Sequence, residues 1–296
     1  MDDQAIWDLN LKTWSALGSH YEPVLNRYST ESGLPGRGWN ILLAVLSFEP
    51  ESTTPAHLLV RGPYTSVEHY LQQLELMAEK ELLTEVSPGE FRFTSTGREW
   101  TNNLISDVRT AMAEVDPLPK SEGNRLSDLL EKIVASCLDN PPPPDTWSIR
   151  LSYKLMPDKN PPMPYIEQAF SCLAAFRDDS HLSAWQKSGL SATALETLTY
   201  IWQNTVHSLT NIYDQLSHRG HSDQVYIDAL GELRSRGLIT GSNNALQITT
   251  DGQVFRDQVE AETNHNFFAP WVCFSQEERE EIIYLLNHLW GGLKTI

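Results

Sequence analysis

Three observations in the sequence predict a mainly helical protein carrying two small β-hairpins. First, between Tyr226 and Gln253 the helical spacing of Tyr226, Leu230 and Leu233 runs into Arg236-Gly-Leu-Ile239 and a polar Gly241-Ser-Asn-Asn244 turn. An alternating strand through Leu246 and Ile248 follows, then Thr250-Asp-Gly252, which opens another helix. Second, the same order occurs from Tyr70 to Arg98. Third, the two stretches share one register. Tyr70 and Tyr226, Leu74 and Leu230, Met77 and Leu233, and Leu83 and Ile239 each lie 156 residues apart. Phe91 and Leu246, Phe93 and Ile248, Thr94 and Thr249, and Gly97 and Gly252 each lie 155 apart, so the one indel falls in the hairpin turn, where duplicated structure tolerates it. Helix, tight hairpin, helix is the order of a winged helix-turn-helix. The expected fold is therefore mainly α with small β-hairpin wings, a tandem winged helix-turn-helix pseudo-dimer.

The remaining elements follow from periodicity and punctuation. Ile6, Trp7, Leu9, Trp14, Leu17, Tyr21, Leu25 and Tyr28 give residues 4–30 an amphipathic helical spacing, with a kink expected at Pro23. Leu34 to Gly38 reads as a loop, Trp39 to Phe48 as a compact apolar helix, and Thr54-Pro55 as the capped start of a short one. A helix from about Thr65 to Glu81, a hairpin turning at Ser87-Pro-Gly-Glu90, and a long helix from Thr96 to Met112 complete a first unit over residues 1–115. Residues 116–164 read as a helical and Pro-rich linker, with a helix at Leu126–Leu138, a stiff spacer at Asp139–Asp145 and a second Pro-rich stretch at Met156–Pro164. A second unit over 165–296 holds helices at Tyr165–Gln186, Ser191–Gln203 and Thr205–Leu216, the repeated hairpin segment, a bend at Pro270 and a terminal helix capped by Ser275-Gln-Glu-Glu278.

Composition narrows the class of function. Forty per cent apolar residues in 296 suffice for sizeable buried cores. Cys137, Cys172 and Cys273 are odd in number and lack a C-x-x-C pair, which argues against a disulfide framework or thiolate zinc site and for a reducing, cytoplasmic setting. No apolar run approaches the length of a membrane span, and the N-terminus is acidic where a signal peptide would be basic. The net charge of −17 is spread as −8 over residues 1–115, −3 over 116–185 and −6 over 186–296, so no segment is basic as a whole. Phosphate contacts by Lys and Arg supply much of a DNA-binding protein's affinity, and here they would have to come from a local stripe.

The run LQQLELMAEKELLTEVSPGEFRFTSTGRE and its partner ALGELRSRGLITGSNNALQITTDGQ resemble the MarR-like winged-helix family, whose members carry L-x-x-L-x-x-x-G-L-[IV], a wing, and L-T-x-x-G. The second stretch keeps Gly237-Leu-Ile239, whereas the first has Glu81 in place of the Gly. The larger plan, FRDDSHLSAW before the second stretch and FFAPW before a terminal helix, resembles a bacterial group of fused MarR-like proteins. The resemblance implies a dimer joined into one polypeptide, a monomer in solution, with duplex DNA as partner and a small ligand held beside the dimer helices. One departure stands out. Such wings hold an Asp and Arg for the minor groove; the first wing offers Glu90 and Arg92, and the second, Ser242 to Ala245, offers no charge.

Candidate residues follow from position. The start of a recognition helix reads bases, which points to Tyr64, Thr65, Ser66, Glu68 and His69 in the first unit and Arg219, His221, Ser222, Asp223 and Gln224 in the second. Thr65, Ser66, His69, Arg92, Arg219, His221, Ser222 and Gln224 form the expected DNA-contacting set; the acids Glu68 and Asp223 oppose it, and solvated faces of retired DNA modules would leave the same pattern. His218 and His221 have a spacing that can hold a metal, but nothing else in the sequence requires one, and neither metal nor cofactor is expected. Arg177, Asp178, His181 and Trp185 share one helix, either as a ligand site or as a polar network pinning that helix to the second unit. Aromatic residues outside the hairpin segments, including Trp7, Trp14, Tyr21, Trp39 and Tyr200, either line a crevice between the halves or fill core. Gly-rich phosphate loops, nucleophile elbows and H-E-x-x-H are absent, so no known enzyme class is indicated. The leading expectation is a DNA-binding transcriptional regulator responsive to a small aromatic or hydrophobic ligand between the halves. The alternatives are a winged-helix scaffold that binds or transforms a small molecule without DNA, and a protein-interaction module suggested by the acidic surface.

Overall fold

Hydroxyl side chains close most helix starts in the computed structural model, which describes residues 3–34, 38–139 and 147–295. Thr54 Oγ1 accepts from His57 N at 3.2 Å at the start of α3 (Pro55–Arg61), and Ser66 Oγ accepts from His69 N at 3.0 Å at the start of α4 (Val67–Glu79). Before them lie α1 (Asp3–Ser32) and α2 (Trp39–Phe48). Helix α1 runs through Pro23 without ending there. Ser19, whose carbonyl the proline deprives of its helical donor, is exposed and left to water, while Trp7, Leu17 and Tyr28 anchor the helix in the interior.

Two hairpins follow the two expected stretches. Strands β1 (Leu83–Ser87) and β2 (Glu90–Phe93) pair antiparallel, Leu83 opposite Phe93, ahead of α5 (Ser95–Ala113). In the second stretch α11 (Asp223–Ser235) leads into β3 (Ile239–Thr240) and β4 (Gln247–Ile248), with Ile239 opposite Ile248, and then into α12 (Thr250–Phe268). The same backbone bonds recur. Leu82 N donates to Met77 O and Leu238 N to Leu233 O, both at 2.9 Å; Thr94 N donates to Leu82 O at 3.2 Å and Thr249 N to Leu238 O at 3.1 Å. Glycine is required at both helix starts after the hairpin, because a Cβ at Gly97 would stand 1.8 Å from Leu82 O and one at Gly252 2.0 Å from Leu238 O. Glu81, which replaces a glycine of the second stretch, takes the same left-handed backbone, φ 58° against 70° at Gly237.

Between the hairpin segments the chain forms α6 (Lys120–Asp139), α7 (Trp147–Tyr153), α8 (Pro162–Gln186), α9 (Ala192–Trp202) and α10 (Leu209–Leu216), and after α12 a 3-10 turn at Ala269–Cys273 leads to α13 (Gln276–Leu293). The bend thus falls at Pro270 as expected, and Ser275 and Glu278 form a reciprocal capping box on α13. The spacer at 140–145 and most of the loop at 34–38 lie outside the described residues. Helix α6 is no exposed tether: Leu126, Leu130, Ile133 and Cys137 are buried against α8 and α13.

Three apolar cores result. One lies around the first hairpin, one around the second, and a helical core from α1, α6, α8 and α13 lies between them. Helix α8 belongs to two of these, with Met163 to Phe176 in the central core and Leu182 to Trp185 in the core of the second hairpin. It joins these two cores. Among the described residues no helix is long and apolar enough to cross a membrane.

Candidate functional site: the facing helix starts and the chamber beneath them

The residues expected to read DNA meet one another. Ser66 N donates to Arg219 O at 2.9 Å and Ser66 Oγ donates to Gly220 O at 3.0 Å, so the turn before α11 lies across the first turn of α4. His221 Nε2 stands 2.9 Å from Tyr64 O, and since a carbonyl only accepts, Nε2 carries the hydrogen. Arg219 Nη1 reaches toward Thr65 Oγ1 at 3.5 Å. The approach is close enough to require glycine at 220, which has φ 70° and whose Cβ would come within 2.5 Å of His69 Cβ. Peptide carbonyls of the second segment thus occupy the positive end of α4, where a helix-turn-helix would present a backbone phosphate. Thr65 and Ser66 are buried, whereas Arg92 on β2 and Ser222 and Gln224 at the start of α11 are exposed. Burial and the neighbouring His218 and His221 hold the His69 imidazole below its ordinary pKa, in the neutral form at neutral pH.

The arginines nearest these helix starts are already engaged. Arg219 forks Glu196 Oε1 through Nε at 3.0 Å and Nη2 at 2.6 Å, and its guanidinium lies 5.7 Å from the Tyr64 ring centre. Arg61 donates from Nε and Nη2 to Asp178 Oδ2 at 3.1 and 3.0 Å, tying α3 to α8. Asp178 keeps half of its side-chain surface open to the space beneath, yet it lies deep enough that burial pushes its carboxyl upward in pKa against the pull of Arg61.

That space is an open-mouthed chamber of about 1250 Å³ lined by α1, α2, α5, α7 and α8, with Arg61, Tyr64 and Arg219 at the helix starts lining it as well. Trp14, Tyr21, Trp39 and Trp147 supply aromatic wall. Its polar centre is Glu167 on α8, whose Oε1 accepts from Trp14 Nε1 at 3.2 Å and from Tyr21 OH at 3.1 Å. Burial raises the pKa of Glu167, opposed by these two hydrogen bonds and by the field of Arg109. Arg109 itself donates to Leu155 O and forms no ion pair among the described residues. Gln168 Nε2, one residue along α8, is spent on Ser152 O at 2.9 Å.

The cluster expected on α8 divides three ways. Arg177 donates to Glu260 at 2.6 Å and Asn264 at 2.9 Å on α12, and His181 Nδ1 donates to Thr263 Oγ1 at 3.2 Å, the threonine hydroxyl being committed to Val259 O. Burial, reinforced by Arg256, pulls His181 down to about 4. These two residues interlock α8 with α12 and do not line the chamber. Asp179 accepts from Ser148 N at 2.8 Å and Ile149 N at 3.0 Å, capping α7 across 30 residues of chain. Of the four candidates, Asp178 faces the chamber, and Trp185 lies buried with its ring 6.1 Å from that of Tyr64. Glu167 was not among the expected residues, although it is the only acid or base between Met163 and Phe176, which is the signal that marks it.

Residues 153–292, from the end of α7 into α13, match the model of a helix-turn-helix family. The match supports a helix-turn-helix DNA-binding domain in that part of the chain, and with it a DNA-binding regulatory role. No curated protein and no solved structure gave a match.

Proposed function

We propose that the chain is a ligand-responsive, MarR-like transcriptional regulator built as an intramolecular pseudo-dimer. Residues 1–115 and 165–296 are its two winged units, joined through 116–164, and a small aromatic or hydrophobic molecule occupies the chamber between them. The observation that carries this reading is that Tyr64 and Arg219 belong both to the chamber wall and to the contact that closes the two helix starts on each other. An occupant that favours one arrangement of these residues changes the exposure of Thr65, Ser66, His69, Arg219 and His221, which with Arg92, Ser222 and Gln224 form the duplex-facing surface once the starts part. Coupling of this kind is reciprocal, so duplex and occupant alter each other's affinity by the same factor.

The test is fluorescence anisotropy with a labelled duplex from the region upstream of its own gene, titrated over a range of salt with the parent chain and with Ser66→Ala, which removes the hydroxyl bond to Gly220 O. Tighter, salt-sensitive binding by the variant is expected. No salt-sensitive binding by either at low ionic strength removes the regulatory reading. The second reading, a scaffold that binds a small molecule without DNA, is favoured by the prior engagement of Arg61 and Arg219 with carboxylates and would then stand in its place.

A further inference from the structure

Glu167 is a carboxylate that forms no ion pair among the described residues and feels Arg109 only through its field. It is half-buried on the chamber wall, and its Oε1 is held by two neutral donors from α1, Trp14 and Tyr21. Its Oε2 has no hydrogen-bond partner among the described residues, and no Lys, Arg or His reaches ion-pair distance. Arg109 acts on it through its field but gives its hydrogen bond to Leu155 O. Removing a carboxylate from water without a countercharge is costly, and a ligand that brings the countercharge recovers that cost on binding. The walls favour the same kind of ligand. Indole and phenol faces attract cations as well as carrying apolar bodies, and Trp14 and Tyr21 fix the carboxylate before the ligand arrives.

We propose that the chamber binds a small organic amine, its aromatic or alkyl body held between Trp14, Tyr21 and Trp39 and its ammonium on Glu167 Oε2. This rests on the chamber being a ligand site, as proposed above. Arg109 lines the same chamber and opposes a cation, and it would be the anchor if the ligand were instead a carboxylate; Glu167 outweighs it because one of its oxygens takes no hydrogen bond among the described residues while Arg109 is engaged by a carbonyl and also feels Asp158.

Three matched probes test the assignment by calorimetry on the full chain: naphthylethylamine, naphthylethanol and naphthylacetate. The amine is expected to bind the parent more tightly than the alcohol by about tenfold, the scale of a charge-assisted hydrogen bond. In Glu167→Gln, which keeps an acceptor for Trp14 and Tyr21, that preference should vanish while the alcohol binds as before, and in Arg109→Gln it should persist. Preference for naphthylacetate, amine affinity unchanged in Glu167→Gln, or no amine binding at millimolar concentration would each overturn the proposal. Duplex anisotropy run in parallel separates the two readings. An amine bound through Glu167 that leaves duplex affinity unaltered upholds the ligand class and refutes the regulatory coupling.

Discussion

Replacing Gly220 with alanine drives a wedge into the contact between the two helix starts, and its effect divides into parts that the structure sizes separately. An L-residue at φ 70° carries a backbone penalty of roughly 1–2 kcal/mol. The new Cβ would lie 2.5 Å from His69 Cβ, so the two segments must separate by about 1–1.5 Å to reach ordinary carbon contact. That movement takes the bonds from Ser66 N to Arg219 O and from Ser66 Oγ to Gly220 O, now 2.9 and 3.0 Å, out of range, at about 0.5–1.5 kcal/mol each. Closure should therefore weaken by about 2–5 kcal/mol in all. Gly237→Ala supplies the control, since it has the same φ of 70° but a Cβ there meets nothing within 4 Å, leaving the backbone penalty alone. Urea unfolding gives the stability of both variants, and hydrogen exchange at the Ser66 amide reports the contact itself. Equal losses in the two variants, with the Ser66 amide as protected in Gly220→Ala as in the parent, would refute the claim that this contact holds the helix starts together.

Asp178→Asn should cost about 1 kcal/mol or less in urea unfolding, because its pair with Arg61 is half open to the chamber, and should leave amine affinity within a few-fold; a variant that melts like the parent but loses the amine would make Asp178 a ligand contact. His181 titrates at about 4 in the fold against an ordinary 6.5, so the unfolded chain binds the extra proton between those values. Stability should then rise with pH from about 4 to 6.5, by up to about 3 kcal/mol, and His181→Gln should flatten that rise in denaturation curves; Arg177, Arg256 and Glu260 are the charged groups acting on the ring, and an unchanged profile would exclude it. Asp179 works in the opposite sense. Its carboxyl is pushed up to about 6 by burial, so the folded chain holds the extra proton and stability from this group falls as pH rises from about 4 to 6, a fall that Asp179→Asn should remove. A pseudo-dimer should sediment as a single 33.5 kDa chain at all concentrations, and a dimer that survives dilution would count against it.

The hairpin segments were legible because their determinants are local. Thr94 and Thr249 cap helices three residues on, Gly97 and Gly252 lie against the strand just before them, and the alternation of Phe91 with Phe93 puts one face inward. The tie that fixes the start of α7 was not legible, because Asp179, which accepts from Ser148 N and Ile149 N, lies on another helix about 30 residues on. Pro23 does not end α1, because Trp7, Leu17 and Tyr28 hold the helix in the interior on both sides of it. The grouping of Arg177, Asp178 and His181 was inferred from helical spacing, which gives the face a side chain occupies and not the element opposite it.

The candidate site depends almost wholly on such distant pairings. Ser66 and Gly220 are 154 residues apart, and Glu167 is 153 from Trp14 and 146 from Tyr21. Each partner taken alone has an ordinary explanation: a helix cap, a turn glycine, a core tryptophan. Together they give the chain one polar centre under aromatic walls and one closed contact above it, with Tyr64 and Arg219 shared between them. Under the regulatory function proposed above, this sharing is what couples the two ends of the site. A group that must move for the helix starts to part also changes the chamber wall, so the free energy of opening depends on what the chamber holds. In a chain of net charge −17, with the nearest arginines engaged by carboxylates, duplex binding has little electrostatic surplus, and a coupling of 1–3 kcal/mol through these residues is large enough to decide whether it occurs.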